Sequence, residues 1–178
     1  IYNGGTLRID NTTFEANHAT RASTIANQGN LYMNNSQIID SISAPGLNMD
    51  LRVIASYNLG QVGNITLENT KILLTGRTPV DIVGSDNLYQ GDRSVTCLGI
   101  GSSEKVIFIN VTVDGNGSTT SGSYVFGGFN SWVETGGRSQ TPKDIHVYNS
   151  TFANLKSVNV YYLKINSTRI FDGCIFDN

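Results

Sequence analysis

Apolar and polar residues alternate along this chain in short bursts, and the bursts share one frame. GTLRIDNTTF at 5–14, GNLYMNNSQI at 29–38 and GNITLENTKI at 63–72 each run apolar, spacer, apolar, spacer, Asn, Ser or Thr, spacer, then Ile or Phe. With the Asn set as zero, apolar residues fall at −4, −2 and +3. The frame recurs as Val106, Phe108, Asn110 and Val113, and as Ile145, Val147, Asn149, Ser150 and Phe152. A sixth copy, Thr168, Ile170, Asp172, Gly173 and Ile175, carries Asp in place of Asn. Alternation with period two predicts short strands with −4 and −2 on one face. The apolar face resumes at +3, so a one-residue bend must sit between, and Asn suits it because it tolerates left-handed backbone.

The bend positions are Asn11, Asn35, Asn69, Asn110, Asn149 and Asp172, at spacings of 24, 34, 41, 39 and 23 residues. Recurrence of one supersecondary unit is the mark of a solenoid, in which longer spacings are the same unit with loops inserted. The expected insertions lie near 40–62, 77–103 and 114–142, within one segment spanning 1–178. Stacked coils would turn the six bend residues into an asparagine ladder with buried amides, ended by Asp172. They would also align Leu7, Leu31, Ile65, Val106 and Ile145 in one apolar column, and Ile9, Met33, Leu67, Phe108, Val147 and Ile170 in another.

IYNGGTLRIDNTTFEAN and GNLYMNNSQI resemble the repeats of adhesin-like surface proteins of methanogenic archaea and of chlamydial polymorphic outer-membrane proteins. Phe14-Glu15-Ala16-Asn17 matches the Phe-x-x-Asn motif of the latter, and Gly4-Gly5-Thr6-Leu7 loosely echoes their Gly-Gly-Ala-Ile motif. The resemblance implies an all-β fold of the pectate-lyase-like class: a single-stranded right-handed parallel β-helix (solenoid) of about six coils. At about 4.8 Å per coil the stack would be roughly 29 Å long. It also implies an extracellular, cell-surface location, with neighbouring β-helix coils of a longer chain and a glycan or other surface ligand as partners.

Composition narrows this further. The chain holds 20 Asn, 19 Gly, 17 Ser and 17 Thr, and charged residues make up only 15%. These small polar residues are poor in helix interiors, which excludes a helical bundle. Twelve Lys and Arg against fourteen Asp and Glu, with no basic run, give no case for nucleic acid. No run of eighteen apolar residues predicts a membrane span. Cys97 and Cys174 define neither a disulfide framework nor a zinc site.

Function is expected in the inserted loops, where rigid scaffolds usually carry it. Between 114 and 142 lie Tyr124, Phe129, Trp132, Glu134 and Arg138, aromatic residues among glycines with polar edges, a combination that suits the apolar C–H faces and hydroxyls of a glycan. The alternative is that Val125, Phe126, Phe129 and Val133 form further sides of the coil. Seven Asn-x-Ser/Thr sites occur; Asn34, Asn64, Asn116 and Asn166 lie outside the ladder and are the candidate glycosylation sites of a glycoprotein. Asp81, Asp86, Asp92 and Arg93 could be drawn into a lyase site with calcium, yet their spacing matches no calcium loop, and no metal or cofactor is called for. Asn-Thr-Asp, Asp-Asp, Gly-His-Gly and Arg-Ile-Lys motifs of β-helix polygalacturonases are absent. The leading expectation is an adhesin-like or cell-envelope structural segment. A polysaccharide lyase, hydrolase or tailspike-like domain and a passive spacer are the alternatives.

Overall fold

The computed structural model describes residues 1–19, 24–39, 42–43, 54–56, 63–73, 100–101, 105–115, 125, 144–155 and 168–177. Among them the chain is all-β, with eighteen short strands and no helix. Sheet A joins β1 (Tyr2–Asn3), β5 (Ile25–Asn27), β9 (Ile54–Ser56) and β12 (Ile100–Gly101). Sheet B joins β2 (Thr6–Asp10), β6 (Asn30–Asn34), β10 (Ile65–Glu68), β13 (Lys105–Ile109), β15 (Asp144–Tyr148) and β17 (Arg169–Asp172). Sheet C joins β3 (Thr13–Glu15), β7 (Gln37–Ile39), β11 (Lys71–Leu73), β14 (Thr112–Asp114), β16 (Thr151–Ala153) and β18 (Ile175–Asp177). A fourth pairing, sheet D, links β4 (His18–Ala19) to β8 (Ile42–Ser43). The segments expected as insertions near 40–62 and 77–103 therefore contribute strands of their own, β8, β9 and β12.

Each pair is parallel and joins equivalent positions of successive repeats. In sheet B, Leu7 faces Leu31, Leu31 faces Ile65, Ile65 faces Val106 and Val106 faces Ile145. In sheet C, Phe14 faces Ile38, and Ile72, Val113, Phe152 and Phe176 follow in register. Alternation sends −4, −2 and +3 inward. Leu31, Ile65, Leu67, Val106, Phe108, Val113, Ile145 and Val147 are fully buried. Ile25 and Ile54 from sheet A join them in one hydrophobic core. Aromatic rings continue it, Phe152 stacking on Phe108 at 6.5 Å and on Phe176 at 5.3 Å.

The last repeat corrects the expected frame. Ile145 faces Arg169, Val147 faces Phe171 and Tyr148 faces Asp172, a step of 24 residues rather than 23. Asp172 thus lies one position before the bend and is not a ladder residue. Gly173 makes the bend, with φ +62°, and Phe171 rather than Ile170 continues the apolar column. Asn149 Oδ1 would lie 2.4 Å from a Cβ at Gly173, which explains why no side chain sits there. Arg169 falls where the other repeats carry Leu, Ile or Val; burial pushes its pKa down and Asp144 opposes the shift.

The five asparagines do occupy the bend, with φ between 47° and 53°. They are, however, exposed. Only Asn110 Nδ2 to Asn69 Oδ1, at 2.8 Å, is an amide-to-amide rung between bend positions. Asn69 donates instead to Asn34 Oδ1 at 3.1 Å, and Asn35 to Asp10 Oδ1 at 3.2 Å. Left-handed backbone turns these side chains outward, while the following residue turns in. Ser36, Thr70 and Ser150 are buried, and each hydroxyl donates to the carbonyl two residues back, at 2.6 to 2.8 Å. Ser36 and Ser150 also accept the backbone N–H of Thr12 and Val111 in the neighbouring repeat. Where the repeat has Cys174, its half-buried thiol points to the carbonyl of Asp172 in the same way.

The buried asparagine pair lies elsewhere, at the junction of sheets A and B. Asn27 is fully buried and Asn3 nearly so. Asn3 Nδ2 donates to Asn27 Oδ1 at 2.6 Å and to the Asn30 carbonyl at 3.0 Å, while Asn27 Nδ2 donates to the Gly29 carbonyl at 2.7 Å. Asn3-x-Gly5 and Asn27-x-Gly29 recur at the same 24-residue step as the strands, a sequence signal that the bend-centred frame passes over. Glycine is required beside it by close approach: a Cβ on Gly29 would lie 1.8 Å from the Gly5 carbonyl oxygen.

Candidate functional site

Positions −3 and −1 of sheet B alternate with the core positions and therefore face outward. On β2, β6 and β10 these are Arg8 and Asp10, Tyr32 and Asn34, Thr66 and Glu68, set side by side by the register. They line a shallow open recess of about 300 Å³. The Arg8 guanidinium carbon lies 4.6 Å from the centroid of the Tyr32 ring, a cation–π contact. At an exposed site such a contact is worth about 0.5–1 kcal/mol, which biases the two side chains toward each other. Asp10 is oriented from the other side by the Asn35 amide.

The recess offers an aromatic ring, an amide, a hydroxyl, one cation and two carboxylates. Asp10 and Glu68 flank Asn34 on consecutive strands, so their backbones are about 9.6 Å apart at the usual strand spacing. That is an arrangement for hydrogen-bonding hydroxyl groups along a rigid face.

Further along the same outer face the character changes to Ile107, Ile109, His146 and Tyr148, all half-buried. His146 faces outward, as the frame predicts, with its Nδ1 3.5 Å from the Tyr148 hydroxyl. Burial and the Lys105 charge lower its pKa from 6.5, and Asp144 works the other way. Asp144 Oδ1 also accepts the Thr168 N–H at 2.8 Å.

The sequence-derived candidates are distributed unevenly over this structure. Tyr124, Phe129, Trp132, Glu134 and Arg138 lie outside the described residues, as do Asp81, Asp86, Asp92, Arg93, Asn116, Asn166 and Cys97. Val125, from the same aromatic stretch, is fully buried in the core. Asn64 is exposed and bonds Asn30, and Asn34 is half-buried in the recess wall. The recess itself was missed because its residues are the spacers of the repeat, and a search for what recurs ignores what varies. Arg8, Tyr32 and Thr66 share one register column, and Asp10, Asn34 and Glu68 share the next; aligning the spacers would have brought them together.

Among the described residues there is no group of three or more His, Cys, Asp or Glu placed to hold a metal ion. No helix among them is long and apolar enough to cross a membrane. No family model matches the chain, and no match was found among curated proteins or solved structures.

Proposed function

We propose that this chain is a segment of a right-handed parallel β-solenoid working outside the cell as an adhesin-like or cell-envelope element, and that it holds neutral glycan weakly along the outer face of sheet B. The observation that carries the reading is the recess itself: a Tyr32 ring in contact with Arg8, beside Asn34, Asp10, Thr66 and Glu68, on a regular stack of parallel strands. Sugar rings offer apolar C–H faces to an aromatic side chain and hydroxyls to carboxylates and amides. One cation against two carboxylates leaves the recess negative, so an anionic polysaccharide is disfavoured. The composition, rich in Asn, Ser, Thr and Gly, supports an extracellular setting, as does the resemblance of the first forty residues to surface-protein repeats. Attachment through such a face would be weak per site and gain strength by repetition.

The test is a panel of neutral and acidic polysaccharides, with and without calcium, read for co-elution and for polymer length. Co-elution with neutral polymer, lost in Tyr32→Ala, supports the reading; binding indifferent to Tyr32 and Arg8 refutes the recess. Shortened polymer would favour a second reading, a glycoside hydrolase using Asp10 and Glu68. Two strand spacings, about 9.6 Å between the backbones, are of the same order as the roughly 6.5–9.5 Å carboxyl separation that inverting enzymes use. Asp10→Asn would then stop the shortening.

A further inference from the structure

Left-handed backbone turns the bend asparagines Asn11, Asn35, Asn69, Asn110 and Asn149 out to solvent. The bend accounts for the Asn but not for the residue two places on. Position +2 precedes the inward +3 and so faces outward, where any polar residue serves; Gln37 and Lys71 fill it in two repeats. In the other three it is Thr13, Thr112 and Thr151, which completes Asn11-Thr12-Thr13, Asn110-Val111-Thr112 and Asn149-Ser150-Thr151 as Asn-x-Thr triplets. Thr13 is exposed, and its hydroxyl oxygen accepts the Gln37 amide at 3.2 Å; Thr112 and Thr151 are half-buried neighbours in the same column. Asn34-Asn35-Ser36 is the opposite case. Asn34 is half-buried and its Oδ1 accepts from Asn69, while Ser36 is buried with its hydroxyl committed to the Asn34 carbonyl.

We propose that the bend column is a site of N-linked glycosylation, with one glycan on Asn11 and one on the Asn110–Asn149 pair, and that Asn34 carries none. The proposal rests on the extracellular reading above, because N-linked sugars are added to chains leaving the cytoplasm. The co-reactant is a sugar donor activated as a lipid-linked diphosphate. The bond from its anomeric carbon to the diphosphate oxygen breaks, and the lipid diphosphate leaves with the electron pair. A bond from that carbon to Asn Nδ2 forms, and one amide proton passes to a base of the transferase. Asn110 Nδ2 gives one N–H to Asn69 Oδ1 at 2.8 Å and has a second to exchange. Ile109 pairs with Tyr148, so Asn110 and Asn149 sit on adjacent coils, about 4.8 Å apart, and a sugar on one covers the amide of the other. Asn11 lies three coils from Asn110, about 14 Å, so its glycan is independent of the pair.

The experiment is secretion of the 178-residue chain, behind a cleavable signal, from cultured cells that N-glycosylate. Asn64→Gln, Asn116→Gln and Asn166→Gln remove the remaining Asn-x-Ser/Thr sites, and cooperative unfolding by circular dichroism establishes that the secreted chain is folded. Enzymatic removal of glycan in heavy-oxygen water marks each occupied Asn as labelled Asp, which peptide mass spectrometry locates. Asn11 is expected to be labelled at least tenfold more than Asn34, and intact mass to show two glycans at most. Thr13→Ala should remove the Asn11 glycan and Thr13→Ser retain it. Thr151→Ala should move the second glycan wholly to Asn110. An unmodified Asn11 in the folded secreted chain overturns the proposal. So does Asn34 labelled as fully as Asn11, and so do three glycans on one molecule. Because the host supplies the compartment, any of these counts against the sites alone and leaves the extracellular reading as it stands.

Discussion

Replacing Asn27 with Ala tests where the polar stability of this fold resides. Asn27 is fully buried, its Oδ1 accepts from Asn3 at 2.6 Å and its Nδ2 donates to the Gly29 carbonyl at 2.7 Å. Alanine removes both bonds. Each is worth about 1 kcal/mol net, and a buried group left without its partner costs a further ~1–3 kcal/mol. The Asn3 amide keeps its bond to the Asn30 carbonyl, so it is only partly orphaned. The expected loss is therefore about 2–4 kcal/mol. The matched control is Asn69→Gly: Asn69 is exposed, and its φ of +47° is a conformation glycine adopts freely. Losing its exposed amide contacts while easing the backbone should leave stability within about 0.5 kcal/mol of the parent. Equilibrium unfolding in guanidinium chloride, followed by far-UV circular dichroism, measures both. A loss below about 0.5 kcal/mol for Asn27→Ala refutes the reasoning; so does an Asn69→Gly loss as large as that of Asn27→Ala, which would return the main role to the bend asparagines.

Gly63→Ala should prevent folding, because its Cβ would lie 1.4 Å from the Gly29 carbonyl oxygen and backbone cannot rotate away; a soluble variant with parent-like unfolding would refute the close approach. Tyr32→Ala should lower neutral-glycan binding about tenfold, or ~1.4 kcal/mol, while the unfolding midpoint stays near the parent's, since the ring faces outward. His146 has a folded pKa below its ordinary 6.5, so the unfolded chain takes up a proton first as pH falls. Its contribution is nil well above pH 6.5 and turns destabilising as pH drops through that value. His146→Asn should therefore flatten a small loss of stability between neutral and mildly acidic pH, measured by thermal unfolding; a variant that steepens it would reverse the sign of the argument.

What the sequence determined by itself is the local rhythm. Period-two alternation around Leu7-x-Ile9, Leu31-x-Met33 and Ile65-x-Leu67 dictates strands with one apolar face, and no single repeat can bury that face alone. The bend at Asn was equally legible, because few residues accept left-handed backbone. The tertiary structure decided what depends on neighbours in space. Only pairing across 24 residues, set by Phe171 and Phe176 joining their columns, moved the last bend from Asp172 to Gly173. Only the direction of the bend side chains showed that the asparagines point to solvent and the serines and threonines inward. The Asn3–Asn27 pair and the Arg8–Tyr32 recess come from residues 24 apart in sequence that touch solely because the strands stack. Pattern along a chain fixes which face is apolar; register between strands decides which polar side chains meet at the surface.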